Sequence, residues 1–552
     1  MLIVFVHHKT DFMKPRNLLL SISLLLFSAL FTHAQAQVPV AKFQKIFGGA
    51  GSDVVHDIKL TPDSGYIMVG STESFGGAFP GDRDMYVIKT DAAGTVLWKK
   101  TYGTNASEEA MSVEVTPGGN YLIAGNSIDS ISGTSSATVW CISNTGSLYW
   151  QKVYTMFPIS YSNVIKKAAG RYMLGGKTFN TTTNDNEAYL ACIDSTGTVI
   201  WCKGYNAGTG YDDGIRAITP SLDGGYILTG DSYFTATHDY NVLVIKTDYL
   251  GGAVWIKTYA GSNNSRGNGA YEAGNDYIIG GQMVGATTAA DLLMMRVDNS
   301  GALIWAKTYG GNGIDFAHSF IMQGNSFTFV GESQSFSPDN TFDAYLVRTD
   351  TGGNVLASRT YGDTGQYEAA IAAAPGPFNT LALGGTINGT GFGSEDFYFV
   401  KTRNDTAGCH EAHPNTVVTP ITVNTASYSG TDTLTPTSVS PIPHLQSGIN
   451  EITLCATVDT TTGVALVATP GQMGISPNPA GSSFTLQLPQ NFAQSYVIHI
   501  YNSLGADVTP RMVFDRSGQT VRCKMTNNVP GLYMINISAG DGKQLTGKIL
   551  IE

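Results

Sequence analysis

The sequence predicts an all-β chain organised as seven repeats, and three observations carry that prediction. A hairpin-like stretch at residues 91–102, Asp-Ala-Ala-Gly-Thr-Val-Leu-Trp-Lys-Lys-Thr-Tyr, returns at 143–154, 194–205, 248–259, 298–309 and, without the tryptophan, at 350–361. The aromatics that close it, Phe47, Tyr102, Tyr154, Tyr205, Tyr259, Tyr309 and Tyr361, stand 55, 52, 51, 54, 50 and 52 residues apart. A period of that size calls for a repeat reading before any short motif is trusted. Composition agrees, since 64 glycines and only 14% charged residues in a chain of 552 suit short strands and tight turns.

Each period holds four short apolar runs, at 54–60, 65–71, 85–90 and 96–102 in the first repeat, separated by turn residues such as Pro62-Asp63-Ser64 and Ala92-Ala93-Gly94. Four sequential strands form a meander, and a meander repeated about a centre is a propeller blade. Runs such as 85–88, 242–245 and 292–295 are apolar at consecutive positions, as a sheet covered on both faces requires. The turn of each hairpin is assigned to a glycine: Gly94, Gly146, Gly197, Gly252, Gly301 and Gly353. Tryptophans at 98, 150, 201, 255 and 305 are read as packing between blades. The seventh repeat stops after 397–402 without a fourth strand, whereas residues 42–47 match 97–102 with no strands before them. Joining the two removes both exposed sheet edges. The expected fold is therefore a seven-bladed β-propeller closed by an N-terminal strand, followed by a linker and a small C-terminal β-sandwich.

Residues 1–36 read as a signal peptide: a basic Met13-Lys14-Pro15-Arg16, with Met13 the expected true start, then an apolar core over 18–31 and a small-x-small cleavage site at Ala34-Gln35-Ala36. The propeller is assigned to 37–408, a Thr/Pro-rich linker or small β extension to 409–470, and the last domain to 471–552. No transmembrane segment is expected in the mature chain. The net charge of −11 argues against nucleic acid, which needs a basic face. A monomer is expected. Six cysteines in an exported chain permit disulfides. Cys409 and Cys455, bracketing the Thr/Pro-rich stretch, are the expected pair. Cys141 and Cys192 share one repeat position and either meet across adjacent repeats or stay buried thiols.

From the lysine-equivalent position of the third strand to the closing aromatic the count is always 13, as from Lys89 to Tyr102, so this hairpin is framework. The connection between second and third strands varies in length. Function is therefore sought on those loops, which carry Glu73, Asp82, Asp231, Asp239, Glu332 and Asp339 among their acidic residues.

The closing segment resembles the type A C-terminal sorting domain of type IX secretion substrates, through Pro477-Asn478-Pro479, the Tyr501 to Gly505 turn, Pro530-Gly531-Leu532-Tyr533 and a terminal Lys548-Ile549-Leu550-Ile551. That resemblance implies passage through the type IX secretion machinery and release or attachment at the outer cell surface. The repeats resemble PQQ-like propeller repeats in Asp91-x-x-Gly94-x-x-x-Trp98, and secreted propeller repeats of the delta-60 type in Asp223-Gly224-Gly225-Tyr226 and the Tyr-Gly-Gly turns. Seven blades, and no adjacent-cysteine pair, depart from the quinoproteins. No cofactor is expected.

Two stretches, Gly48-Gly49-Ala50-Gly51-Ser52-Asp53 and Gly310-Gly311-Asn312-Gly313-Ile314-Asp315, fit a calcium-binding Gly-Gly-x-Gly-x-Asp pattern. A calcium β-roll needs that pattern in tandem, so a turn between blades is preferred, with a single calcium near Asp53 or Asp315 as the alternative. His56 and His318 fall at equivalent first-strand positions near the centre of the ring and are read as packing, and no metal site is assigned. Asp-Ser/Thr-apolar or Thr triplets at Asp405, Asp432 and Asp459 resemble an O-glycosylation sequon of bacteria with this export route. No GxSxG, HExxH or Walker loop occurs. The favoured function is an exported binding or scaffold module for an extracellular polysaccharide or protein. The alternative is an extracellular glycosidase or lyase using the loop carboxylates.

Overall fold

The computed structural model describes residues 41–458 apart from short segments, 77–81, 156–159, 285–288 and 404–410 among them, and the strands between residues 474 and 551. The signal peptide, Met13 and Cys409 lie outside the described residues. The chain divides into two units, one holding 39–459 and the other 460–552.

All seven sheets of the larger unit are antiparallel and five-stranded. In repeat 1 the strands are Asp53–Leu60, Tyr66–Thr72, Asp84–Thr90 and Val96–Gly103. The second and third are buried along their whole length, which is why their apolar residues do not alternate. The first strands of the other repeats are Ser107–Val115, Ser160–Ala168, Tyr211–Pro220, Asn263–Ala273, Asp315–Gln323 and Tyr367–Pro375. Each packs against the first strand of the next repeat, and Tyr367–Pro375 packs against Asp53–Leu60, so the order is cyclic.

The seventh sheet draws its fourth strand from the start of the chain. Ala41–Gly48 pairs with Asp396–Arg403 in a register that sets Phe43 opposite Lys401 and Phe47 opposite Phe397. Phe43 stands in the tryptophan position, and its ring packs edge-on against Phe399 with centroids 4.9 Å apart.

Between repeats, the closing hairpin docks on its successor. Trp98 Nε1 donates to the Asn144 carbonyl at 2.9 Å, and Trp255 Nε1 donates to that of Asn299 at 3.0 Å. The turn glycines adopt left-handed backbone, φ 74° at Gly146 and 80° at Gly251. In the fourth hairpin this residue is Gly251 rather than the expected Gly252, because the turn needs its left-handed residue three positions after the aspartate. Asp248 accepts from the Leu250 and Gly252 amides at 2.8 and 2.7 Å.

The fifth strand of every sheet comes from residues 411–458. Glu411–Ala412, Val417–Ile421, Asn424–Tyr428, Thr431–Thr433, Thr437–Val439, His444–Gln446 and Asn450–Val458 pair in turn with the fourth strands of repeats 6, 5, 4, 3, 2, 1 and finally with Ala41–Gly48. A Thr-rich, charge-poor segment suits this task, because one more strand on an edge needs backbone amides and β-tolerant side chains rather than an apolar core. Cys455, set opposite Gln44 in this last pairing, is disulfide-bonded. Cys141 and Cys192 are buried free thiols, and Cys202 and Cys523 are buried as well.

The smaller unit has a four-stranded sheet (Gly474–Ser476, Ser483–Gln487, Thr520–Met525, Met512–Ser517) and a three-stranded one (Tyr496–Asn502, Gly531–Ala539, Gln544–Ile551). One apolar cluster joins them, with Phe484, Leu486 and Val521 from the first and Ile498, Ile500, Ile535 and Ile537 from the second.

Candidate functional site: a cavity ringed by strand bulges

Each of the seven first strands is interrupted by a β-bulge at the same place, between Val55 and Asp57 in repeat 1 and between Ala370 and Ala372 in repeat 7. The extra residue of a bulge is left out of the ladder and its side chain is re-aimed. These residues are His56, Met111, Asn163, Arg216, Asn268, His318 and Ile371. All seven line one cavity of about 320 Å³, together with Asp57, Lys59, Ser112, Ser319 and Phe320. Seven equivalent positions thus carry two histidines, two asparagines, an arginine and two apolar residues. Shared backbone geometry fixes where they stand, and their identities vary.

The strong charges of the cavity wall are answered within the protein. Arg216 pairs with Asp231. Lys59 Nζ contacts Asp57 Oδ2 at 2.7 Å, and Asp57 accepts from the Val113 amide at 2.9 Å, tying repeat 1 to repeat 2. The asparagines commit an amide N–H to the neighbouring first strand, Asn163 to the Ile215 carbonyl at 2.9 Å and Asn268 to that of Ala317 at 2.5 Å. His56 titrates below its ordinary value because burial penalises its cation, with Glu109 opposing that shift and Arg83 reinforcing it. His318 Nε2 stands 3.4 Å from Glu332 Oε1, and Tyr367 Oη donates to the other oxygen of that carboxylate. Glu332 is only 6% exposed. The wall therefore offers an uncharged donor and acceptor set beside an apolar patch of Met111, Phe320 and Ile371.

Of the acidic residues singled out on the loops, Glu332 contacts the cavity-lining His318 and Asp231 the cavity-lining Arg216, and neither carboxylate lines the cavity itself. Glu73 pairs with Arg83 at 2.9 Å, and Arg83 also reaches Glu109 at 2.8 Å. Asp339 holds its own turn, accepting from Ser337 Oγ at 2.8 Å and Thr341 Oγ1 at 2.6 Å, which keeps its carboxyl well below the usual range. Asp82 and Asp239 flank or begin the third strands of repeats 1 and 4, and neither lines the cavity. Met111, Asn163, Arg216, Asn268 and Ile371 were not singled out by the sequence reading. The signal available for them is a residue of changing character at a constant repeat position, interrupting the alternation of the first strand.

Among the described residues no group of three or more His, Cys, Asp or Glu side chains is arranged to hold a metal, and no helix is long and apolar enough to cross a membrane. The chain has no match among curated proteins. Residues 474–552 match the family described as the secretion system C-terminal sorting domain, which marks the chain as one exported by type IX secretion, to the extracellular space or the cell surface.

Proposed function

We propose that this exported chain is a seven-bladed β-propeller serving as a binding or scaffold module for an extracellular polysaccharide or protein, with the bulge-ringed cavity as its ligand site. Seven four-stranded meanders, the cyclic packing of their first strands and the pairing of Ala41–Gly48 with Asp396–Arg403 support the propeller reading. The observation that carries the binding reading is the ring of seven bulge residues around one cavity. A volume near the lower end of the range for small-ligand sites suits a single sugar or side chain of a longer polymer. Charges paired within the wall favour an uncharged, hydroxyl- or amide-rich group, because a charged one would have to break Arg216–Asp231 or Asp57–Lys59. The scaffold belongs to domain 37–408, with 409–470 as its outer strap, Cys409 as the partner of Cys455, and 471–552 as the export domain.

The test is a glycan array and a peptide panel with the purified chain, followed by titration calorimetry on the best ligand. Filling the cavity with Met111→Trp or Ile371→Trp is expected to weaken binding at least tenfold while the melting temperature stays within a few degrees. Binding that is unchanged in both folded variants would remove the cavity from the proposal.

One observation favours a second reading, an extracellular glycosidase or lyase. His318 lines the cavity, and behind it Glu332 stands 3.4 Å from its Nε2 and accepts from Tyr367 Oη, a chain of groups suited to acid–base chemistry. Release of reducing ends or unsaturated products from a polysaccharide, lost in His318→Ala and Glu332→Gln, would establish it over the binding module.

A further inference from the structure

The two Gly-Gly-x-Gly-x-Asp stretches sit at junctions between repeats, away from the cavity, and they are built alike. Asp53 and Asp315 open the first strands of repeats 1 and 6. Each accepts from the glycine amide four residues back, Gly49 at 2.7 Å and Gly311 at 2.8 Å, and from a serine of the following loop, Ser74 at 2.8 Å and Ser335 at 2.7 Å. A second-strand hydroxyl, Thr72 or Ser333, completes each set. Burial raises the pKa of each carboxyl, and the three donors oppose that shift by favouring the anion.

A second aspartate faces each of these from the third strand of the preceding repeat. Asp396 and Asp291 are 1% and 7% exposed, and Oδ1 of each has no hydrogen-bond partner. Those oxygens are aimed at the first aspartates. A Cβ on Gly48 would overlap Asp396 Oδ1 and stand 2.9 Å from Asp53 Oδ2; one on Gly310 would overlap Asp291 Oδ1 and stand 2.5 Å from Asp315 Oδ2. Two oxygens from two strands thus converge on one point in each junction. Calcium–oxygen distances of 2.3–2.6 Å let one ion join oxygens up to about 5 Å apart. None of the ion pairs among the described residues involves these four carboxylates.

We propose that the Asp53–Asp396 and Asp291–Asp315 pairs are two equivalent calcium sites that bridge neighbouring repeats. Two buried carboxylates without a cationic side chain call for a divalent charge at that point. Hard oxygen ligands select Ca²⁺, and the rest of its shell comes from hydroxyl, carbonyl and water oxygens, which its flexible coordination accepts. Glycine at 48 and 310 is required because any side chain would occupy the space where the two carboxylates meet.

The experiment uses the purified full chain, stripped with EDTA and returned to calcium-free buffer of fixed ionic strength. Calorimetry should count two Ca²⁺ per chain, and millimolar Ca²⁺ should raise the melting temperature by several degrees where Mg²⁺ does not. Asp396→Asn and Asp291→Asn should each remove one ion, and the double variant should lose the calcium-dependent shift while melting in EDTA no lower than the parent. As a readout that needs no variant, Tb³⁺ should show tyrosine-sensitised luminescence, displaced by Ca²⁺, since Tyr86 senses both Asp53 and Asp396 and Tyr345 both Asp291 and Asp315. No bound Ca²⁺ and no sensitised Tb³⁺, or a double variant that still binds two ions, would overturn the proposal in favour of carboxylates neutralised by protons.

Discussion

Tyr102 Oη donates a 2.8 Å hydrogen bond to the carbonyl of Gly146, the left-handed turn residue of the next repeat. The same bond joins Tyr154 to Gly197 and Tyr205 to Gly251 at 2.7 Å, Tyr259 to Gly301 at 2.6 Å and Tyr309 to Gly353 at 2.8 Å. The closing aromatic of the repeat is therefore a bolt between neighbours. Tyr102→Phe strands a buried carbonyl and should cost about 1–2 kcal/mol in urea unfolding. Gly146→Ala should cost a similar amount, about 1–2 kcal/mol, because φ is 74° and its Cβ would press on Trp98 at 3.1 Å.

Repeat 6 lacks its tryptophan for a reason visible in the fold. Its neighbour, repeat 7, has no hairpin between third and fourth strands, so a tryptophan at 357 would find no glycine turn to cover. Phe43 fills that role for Gly94, whose Cβ would overlap its ring. Phe43→Ala should destabilise by about 3–5 kcal/mol, as for other buried aromatics. Ala357→Trp should bring no gain in melting temperature, whereas loss of Trp255 should lower it.

Stability should depend on pH through carboxyls buried between repeats. Burial pushes Glu108 up to about 7, against hydrogen bonds from Thr104 and Ser127, and pushes Asp213 up to about 7 as well. The folded chain keeps protons that the unfolded chain releases near pH 4–4.5, so these groups favour folding at low pH. That advantage is lost as pH rises from about 4.5 through 7, and in calcium-free buffer the melting temperature should fall across this window. Glu108→Gln should flatten the fall by roughly 2–3 kcal/mol when stability at pH 5 and pH 8 is compared. An unchanged slope would place the titration elsewhere.

The strap of fifth strands ends on Ala41–Gly48, next to the repeat where it began, and Cys455 is disulfide-bonded there. With Cys409 as partner the bond turns the strap into a closed hoop. Reduction, or Cys455→Ser, should lower stability by up to about 4 kcal/mol, the chain-entropy value for a loop of this size. Hydrogen exchange should rise first in Asn450–Val458. Peptide mapping of the non-reduced chain checks the pairing directly.

The repeat period, the four strands of each repeat and the orphan strand at 42–47 were legible in the sequence because each rests on a local pattern: apolar runs, turn glycines and a hairpin of constant length. The cavity was legible only in part. His56 and His318 stood out as equivalent histidines, but an isolated Asn163, Arg216 or Ile371 looks like any other strand residue. Only the bulge, which shifts the pairing of two strands, turns these side chains out of the ladder. The six acidic residues stand out in the sequence by loop position and type, and pairing decides among them: Asp339 is spent on its own turn, while Glu332 is held behind the cavity-lining His318 by Tyr367.

By itself the sequence determined an exported, strand-rich chain of seven similar units with a sorting domain at its end, since composition, periodicity and terminal motifs are properties of the chain alone. Tertiary structure decided the rest. It laid strands from residues 411–458 against each of the seven sheets of the larger unit, gathered seven bulge residues around one cavity, and set Asp396 against Asp53 across 343 residues of sequence. Each of these depends on backbone hydrogen bonds and packing between distant strands, whose partners no local pattern names.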